Sequence, residues 1–335
     1  MKNTESKITM KTKQVLPTIS LALVLSLILL PSAFGQGSLT PPGAPAPTMK
    51  TLTQVEPRTP ITAVPYTITN PGSYYLTTNF TVSSGHAITI ATNGVTLDLN
   101  GFTLKSTDAA NTGDAVFLYS GLRNLTILNG FIEGGVTNNG SGVYSGPGFA
   151  YGIYSPSIDP VNTRVSGVSV TGCKNSGIWV SYGISTVVEN CTVRTVGGIG
   201  IYGDVIKGCS ATDCGGFGIE GYQVSDSHGE STTSGDGIYA TTAQNCYGSS
   251  GSGPGLYATH TAQNCYGSSG SDTGLYAATA QNCYGFSSSG TGLNATVANN
   301  CIGYRPGGTA ILATVANGCY ATSGTNNITY KYNMP

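Results

Sequence analysis

The residues able to do acid–base chemistry are few and gathered. Asp204, Asp213, Glu220, Asp226, Glu230 and Asp236 fall in one stretch, with Lys207 and His228 among them. A polysaccharide lyase needs a base, often with carboxylates that hold calcium, and a glycosidase needs two carboxyl groups at a set separation. Asp213, Glu220 and His228 are the catalytic candidates in this stretch. Spacing fixes no acid pair among them. Glu189 and Lys207 take the same outward place on successive repeats, as an exposed ion pair would, and Asp226 falls at a turn. His86 and His260 stand alone in the sequence. A second set of residues suits binding instead. Trp179, Tyr202, Tyr239, Tyr257 and Tyr276 recur at repeat spacing, and flat rings in a row suit the apolar faces of sugars while their polar atoms suit sugar hydroxyls. Repetition alone also makes such rows, because stacked rings stabilise neighbouring repeats.

Composition narrows the partners. The chain has 335 residues with 48 Gly, 14 Lys plus Arg and 15 Asp plus Glu, for a net charge of -1. With so few cations and no basic cluster, nucleic-acid binding is excluded. A 39 % apolar content argues against disorder.

Lys2, Lys7, Lys11 and Lys13 precede an apolar run from Val15 to Leu30, followed by Pro31 and the small residues Ser32 and Ala33 up to Gly35. This is the pattern of a secretory signal cleaved after Gly35; the run is short for a membrane span. The expected organisation is a signal peptide over 1–35, a Pro-rich tether over 36–60, a solenoid over 61–325 and a tail over 326–335. The expected location is outside the cell or at its surface, with the periplasm as the alternative, and no membrane span remains after cleavage. Oligomeric state is not legible.

The solenoid follows from the cysteines. Cys173, Cys191, Cys209, Cys246, Cys265, Cys283, Cys301 and Cys319 recur every 18 or 19 residues if Ser227 fills one place, with Cys214 alone off the column. A column of Ile201, Ile219, Ile238, Leu256, Leu275, Leu293 and Ile311 runs upstream of it. Repeats near this length stack into solenoids in which each coil buries its apolar face against its neighbours. A hexad β-helix is ruled out, because Gln244 and Ser250 follow Ile238 at six and twelve residues. Asn190, Asp226, Asn245, Asn264, Asn282 and Asn300, with Gly172, Gly208 and Gly318, each precede a Cys position. These residue types tolerate a left-handed backbone, so they predict a ladder of turns.

On these repeats, and on the stretches at 68–82, 88–104 and 122–135, the chain resembles the right-handed parallel β-helix family of pectin-lyase-like proteins. The resemblance implies an all-β, single-stranded right-handed parallel β-helix with 18–19-residue coils. It implies little about chemistry, because the family spans lyases, hydrolases and binding proteins, and such short coils leave few loops to build a cleft.

Parallel side chains about 4.8 Å apart on adjacent coils do not converge as a disulfide requires. The cysteines are therefore expected as buried thiols, with Cys214 the one candidate for a reactive or paired thiol, and their spacing is not a metal motif. Two outward columns are expected. One runs through Tyr154, Trp179, Tyr202, Glu220, Tyr239, Tyr257, Tyr276, Asn294 and Leu312. The other runs through Lys174, Thr192, Ser210, His228, Tyr247, Tyr266, Tyr284, Ile302 and Tyr320. The leading expectation is an exported, non-catalytic protein that binds or displays carbohydrate, with a polysaccharide or cell-surface glycan as partner and no cofactor. The alternatives are a polysaccharide lyase or glycoside hydrolase, with calcium as cofactor if a lyase, and a structural or adhesion repeat with no small ligand.

Overall fold

The computed structural model describes residues 56–156, 160–181 and 185–334. The signal segment expected over 1–35 and nearly all of the tether lie outside the described residues. Every regular element among the described residues is a β-strand. All but one small hairpin join a single 27-stranded sheet in which each strand pairs parallel with its counterpart one coil away. The chain is an all-β parallel solenoid.

Each coil carries three strand segments separated by bends, and strand alternation turns every second side chain inward. The first inward column runs Ile88, Val116, Ile153, Ile178, Ile201, Ile219, Ile238, Leu256, Leu275, Leu293 and Ile311. Apart from Val116, its bulk is constant. The other two columns shrink along the chain. The second passes from Leu97, Ile127, Val165, Val188, Ile206 and Val224 to Ala243, Ala262, Ala280, Ala298 and Ala316. The third passes from Leu104, Ile132, Val170 and Val193 through Ala211 to Gly229, Gly248, Gly267, Gly285 and Gly303. Burying a Leu or Ile stabilises by about 1.5–3 kcal/mol. The early coils therefore draw on apolar burial, whereas the later ones bring backbones close together. At Gly248 a Cβ would lie 2.2 Å from the Gly255 carbonyl oxygen, so only glycine fits there.

The turn ladder has positive φ at Asn129, Gly167, Asn190, Gly208, Asp226, Asn245, Asn264, Asn282, Asn300 and Gly318. Side-chain amides link its rungs: Asn245 Nδ2 donates to Asp226 Oδ1 at 2.9 Å and Asn264 Nδ2 to Asn245 Oδ1 at 3.1 Å. Ser227 does stand in for cysteine. Its neighbour His228 pairs with Tyr247, and its hydroxyl donates to the Ser225 carbonyl as the column thiols do to theirs.

The structure corrects the first rung. Cys173 pairs with Val196, and Val196 with Cys214. The 18-residue step from Cys173 to Cys191 is thus a coincidence across a longer coil, in which Val170 pairs with Val193. Gly172 accordingly leaves the turn ladder and Gly167 takes the place. Lys174 leaves the second outward column, where Ser169 pairs with Thr192. All nine cysteines are free and buried. Cys214 is fully buried, and burial raises its thiol pKa, so it is not a reactive site. Parallel pairing also runs beyond 325, with Asn326 against Ile311 and Tyr332 against Asn317.

Candidate functional site: the aromatic face

The outward neighbours of the first inward column form one face. Register places Phe117, Tyr154, Trp179, Tyr202, Glu220, Tyr239, Tyr257, Tyr276, Asn294 and Leu312 in a single file. The expected column is therefore present, with Phe117 extending it. A flanking file, three residues earlier in each coil, bends onto the same face. Tyr151 stacks on Tyr154 at 4.1 Å between centroids, Phe217 on Tyr239 at 5.8 Å, and His86 on Phe117 at 4.4 Å.

Ring orientation divides this face in two. Tyr239, Tyr257 and Tyr276 lie 5.4 and 4.4 Å apart with interplanar angles of 15° and 12°. Parallel rings this close cannot lie edge to edge in one plane without overlapping, so they stand face against face and present edges and hydroxyls to solvent. Tyr247, Tyr266 and Tyr284 of the second outward column repeat this at 5.0 Å, with angles of 6° and 2°. Farther toward the N-terminus the rings tilt. Phe117 meets Tyr154 at 41°, Tyr151 meets Trp179 at 77°, and Trp179 meets Tyr202 at 56°. These pairs do not stack in parallel, although His86 covers one face of Phe117 and Tyr151 one face of Tyr154. Among the five expected stacking residues, Trp179 and Tyr202 are tilted to each other, while Tyr239, Tyr257 and Tyr276 form a near-parallel row.

Carboxylates border the aromatic file. Asp236 is buried in the flanking file beside Glu220 and Asp272, and burial pushes its pKa up to about 7. Asp114 holds the same place nearer the N-terminus. Its Oδ1 accepts from the Tyr151 N–H at 3.1 Å, its Oδ2 lies 3.3 Å from His86 Nδ1, and burial pushes it too up to about 7. A carboxylate neighbour ordinarily raises a histidine pKa, but at His86 burial prevails and lowers it. His86 is therefore not isolated. The sequence signal for this pair was available: Asp114 and Asp236 each stand two residues before an inward Val116 or Ile238.

The three catalytic candidates do not converge. Asp213 serves as a structural bolt. Its Oδ1 accepts from Asn138 Nδ2 at 2.7 Å and Tyr144 OH at 2.9 Å, and its Oδ2 from Thr195 Oγ1 at 2.8 Å. Burial acts to raise its pKa, yet these hydrogen bonds leave it lowered. Asn138 and Tyr144 belong to the small antiparallel hairpin, which sequence reasoning missed because its strands are two residues each. Glu220 stands in the aromatic file between Tyr202 and Tyr239. His228 sits in the other outward column, edge-on to Tyr247 at 4.8 Å, and opens on a shallow groove of about 720 Å³ along the turn ladder. Glu189 and Lys207 do occupy adjacent coils, but the ion pair of Glu189 is with Arg164 at 2.6 Å. His260 is exposed, at an inserted residue where the register shifts between Ala258 and Thr261.

No group of three or more His, Cys, Asp or Glu among the described residues could hold a metal ion. No helix among them is long and apolar enough to cross a membrane. No family model and no curated protein matches the chain. Solved structures similar to the chain include two of note. The A-module of Azotobacter vinelandii mannuronan C-5 epimerase AlgE4 has 14 % identity and a TM-score of 0.48, covering 79 % of this chain and 87 % of that one. The Dettilon tailspike protein gp208 has 14 % identity and a TM-score of 0.35, covering 82 % and 60 %. The likeness is one of fold. The strand register described above defines that fold independently.

Proposed function

We propose that this chain is an exported solenoid that binds carbohydrate on its aromatic face without turning it over. The observation that carries this reading is the irregular segment of that face, where Trp179 meets Tyr202 at 56° and Glu220 follows Tyr202 in the same file. Apolar sugar faces stack on exposed rings, and their hydroxyls donate to carboxylates. A rigid parallel sheet pre-positions such groups, so little ordering entropy is lost on binding.

An enzyme is the second reading, favoured by one feature: the contact of His86 with the buried carboxyl of Asp114 at the edge of the same face. A glycan array run beside a polysaccharide-degradation panel, with and without calcium, separates the two. Retention without turnover, lost in Trp179→Ala by at least about tenfold, is the expected result. Turnover abolished by Asp114→Asn would replace binding with catalysis. Silence in both assays would leave a structural or adhesion repeat.

A further inference from the structure

A cavity of about 290 Å³ opens on the third strand segment of the coils, apart from the aromatic face. Phe131 and Arg194 line it. The Phe131 side chain is 50 % exposed, and its file neighbours Thr103 and Ser169 carry no rings. Phe131 enters none of the ring contacts among the described residues. Arg194 is exposed and pairs in register with Thr171, which pairs with Glu133. It therefore stands two coils, about 10 Å, along the axis from Glu133. Two carboxylates lie in this neighbourhood, and other groups meet both. Glu133 accepts from Lys105 Nζ at 2.9 Å. Asp213 feels the Arg194 charge, yet its oxygens accept from Asn138, Tyr144 and Thr195. Arg194 enters none of the ion pairs among the described residues.

We propose that this cavity binds a small aromatic monocarboxylate, its ring against Phe131 and its carboxylate on the Arg194 guanidinium. The site is separate from the aromatic face and does not depend on the carbohydrate-binding reading. A guanidinium offers a planar fork of donors that matches a carboxylate in shape as well as charge. An aromatic ring pairs with another in offset or edge-on arrangements, with a gain beyond the area buried. The two groups thus specify the two ends of one ligand. The cavity is small for a ligand site, with room for one ring and a short chain. Its floor is rigid, because Ile132 and Val170 beneath it are buried members of the third inward column. A neutral aromatic would leave the guanidinium unmatched, and an acid without a ring would leave Phe131 in water.

The test titrates the full chain at neutral pH with cinnamate, its uncharged amide cinnamamide, and glucuronate, followed by ligand-observed NMR. Cinnamate is expected to bind at least about fivefold more tightly than the amide, a preference that shrinks at about 0.5 M salt. Arg194→Gln should bring the acid down to the affinity of the amide and leave the amide as it was. Phe131→Ala should weaken acid and amide alike by at least about fivefold. Both side chains are exposed, and circular dichroism melts confirm that the variants fold. Equal affinity of acid and amide in the parent, or a preference that survives Arg194→Gln, would overturn the proposal. So would binding indifferent to Phe131→Ala, which would put the ligand elsewhere, or no binding of cinnamate at all. Tighter binding of glucuronate than of cinnamate would overturn it in favour of a sugar acid. The glycan array tests the aromatic face separately, so the two readings can fail independently.

Discussion

The coils around Ile127 and those around Ala262 solve the same packing problem in opposite ways. In the first region Leu97, Leu104, Ile127 and Ile132 fill the interior, coils vary in length, and the external rings meet at mixed angles, from 12° to 77°. In the second, Ala243, Gly248, Ala262 and Gly267 leave room only for backbone, coils keep to 18 or 19 residues, and external rings stack nearly parallel. Near-identical repeats thus place identical side chains in register, and identical aromatic side chains satisfy one another. Mixed ring orientations arise where the repeat is broken. The largest test of this contrast is Leu256→Asp, which sets a charge in a fully buried column where no wider core can absorb it. We expect a loss above about 4 kcal/mol, seen as a missing cooperative transition in the circular dichroism melt and as proteolysis confined to the C-terminal coils.

The two interiors should also fail differently. Leu97→Ala empties a wide core and is expected to cost about 2–5 kcal/mol. Gly248→Ala drives a methyl group into the Gly255 carbonyl and is expected to cost about 1–3 kcal/mol, the range for overpacking. Denaturant midpoints of both variants check the pair. A harmless Gly248→Ala would mean that the later coils are looser than their backbone spacing indicates.

What the sequence discloses follows the same division. Register from Ile201 onward was legible because each coil repeats its neighbour, so that even Ser227 could be placed among cysteines. Asn245, Asn264 and Asn282 announced their left-handed turns by residue type alone. Toward the N-terminus, insertions break the period, and the step from Cys173 to Cys191 imitates a repeat that pairing does not follow. The contact of His86 with Asp114 joins residues 28 apart across such an irregular coil, beyond the reach of period arithmetic. Ring orientation was not legible anywhere, because strand alternation tells which way a side chain points and not how its plane is turned.

The irregular region should also carry its own pH signature. Asp114 has an ordinary pKa of 3.8 when unfolded and about 7 when folded, so the folded state holds its proton more tightly. Its contribution is full below about pH 4 and falls away as pH rises toward 7. Asp236 acts in the same sense, whereas Asp213, lowered in the fold, acts in the opposite sense under acid. Subtraction isolates the first. The stability of the parent relative to Asp114→Asn should decline by about 1–3 kcal/mol between about pH 4 and pH 7. Melts of both proteins across that range measure it, and parallel curves would mean that Asp114 titrates as an ordinary surface carboxylate.

The smallest expected effect separates the two kinds of aromatic row. Tyr266 lies between Tyr247 and Tyr284, with both ring faces covered. Tyr266→Ala should therefore cost about 1 kcal/mol of stability through lost stacking and leave glycan retention as it was. Trp179→Ala should lose retention as well as stability, because its neighbours at 77° and 56° are favourable ring contacts too. Measured together, by denaturant melt and glycan retention, the two variants show whether retention follows the Trp179 segment or the stacked row. If Tyr266→Ala also lost retention, the hydroxyl edge of a stacked row would be a binding surface in its own right. The tilted rings toward the N-terminus would then be one end of a longer site.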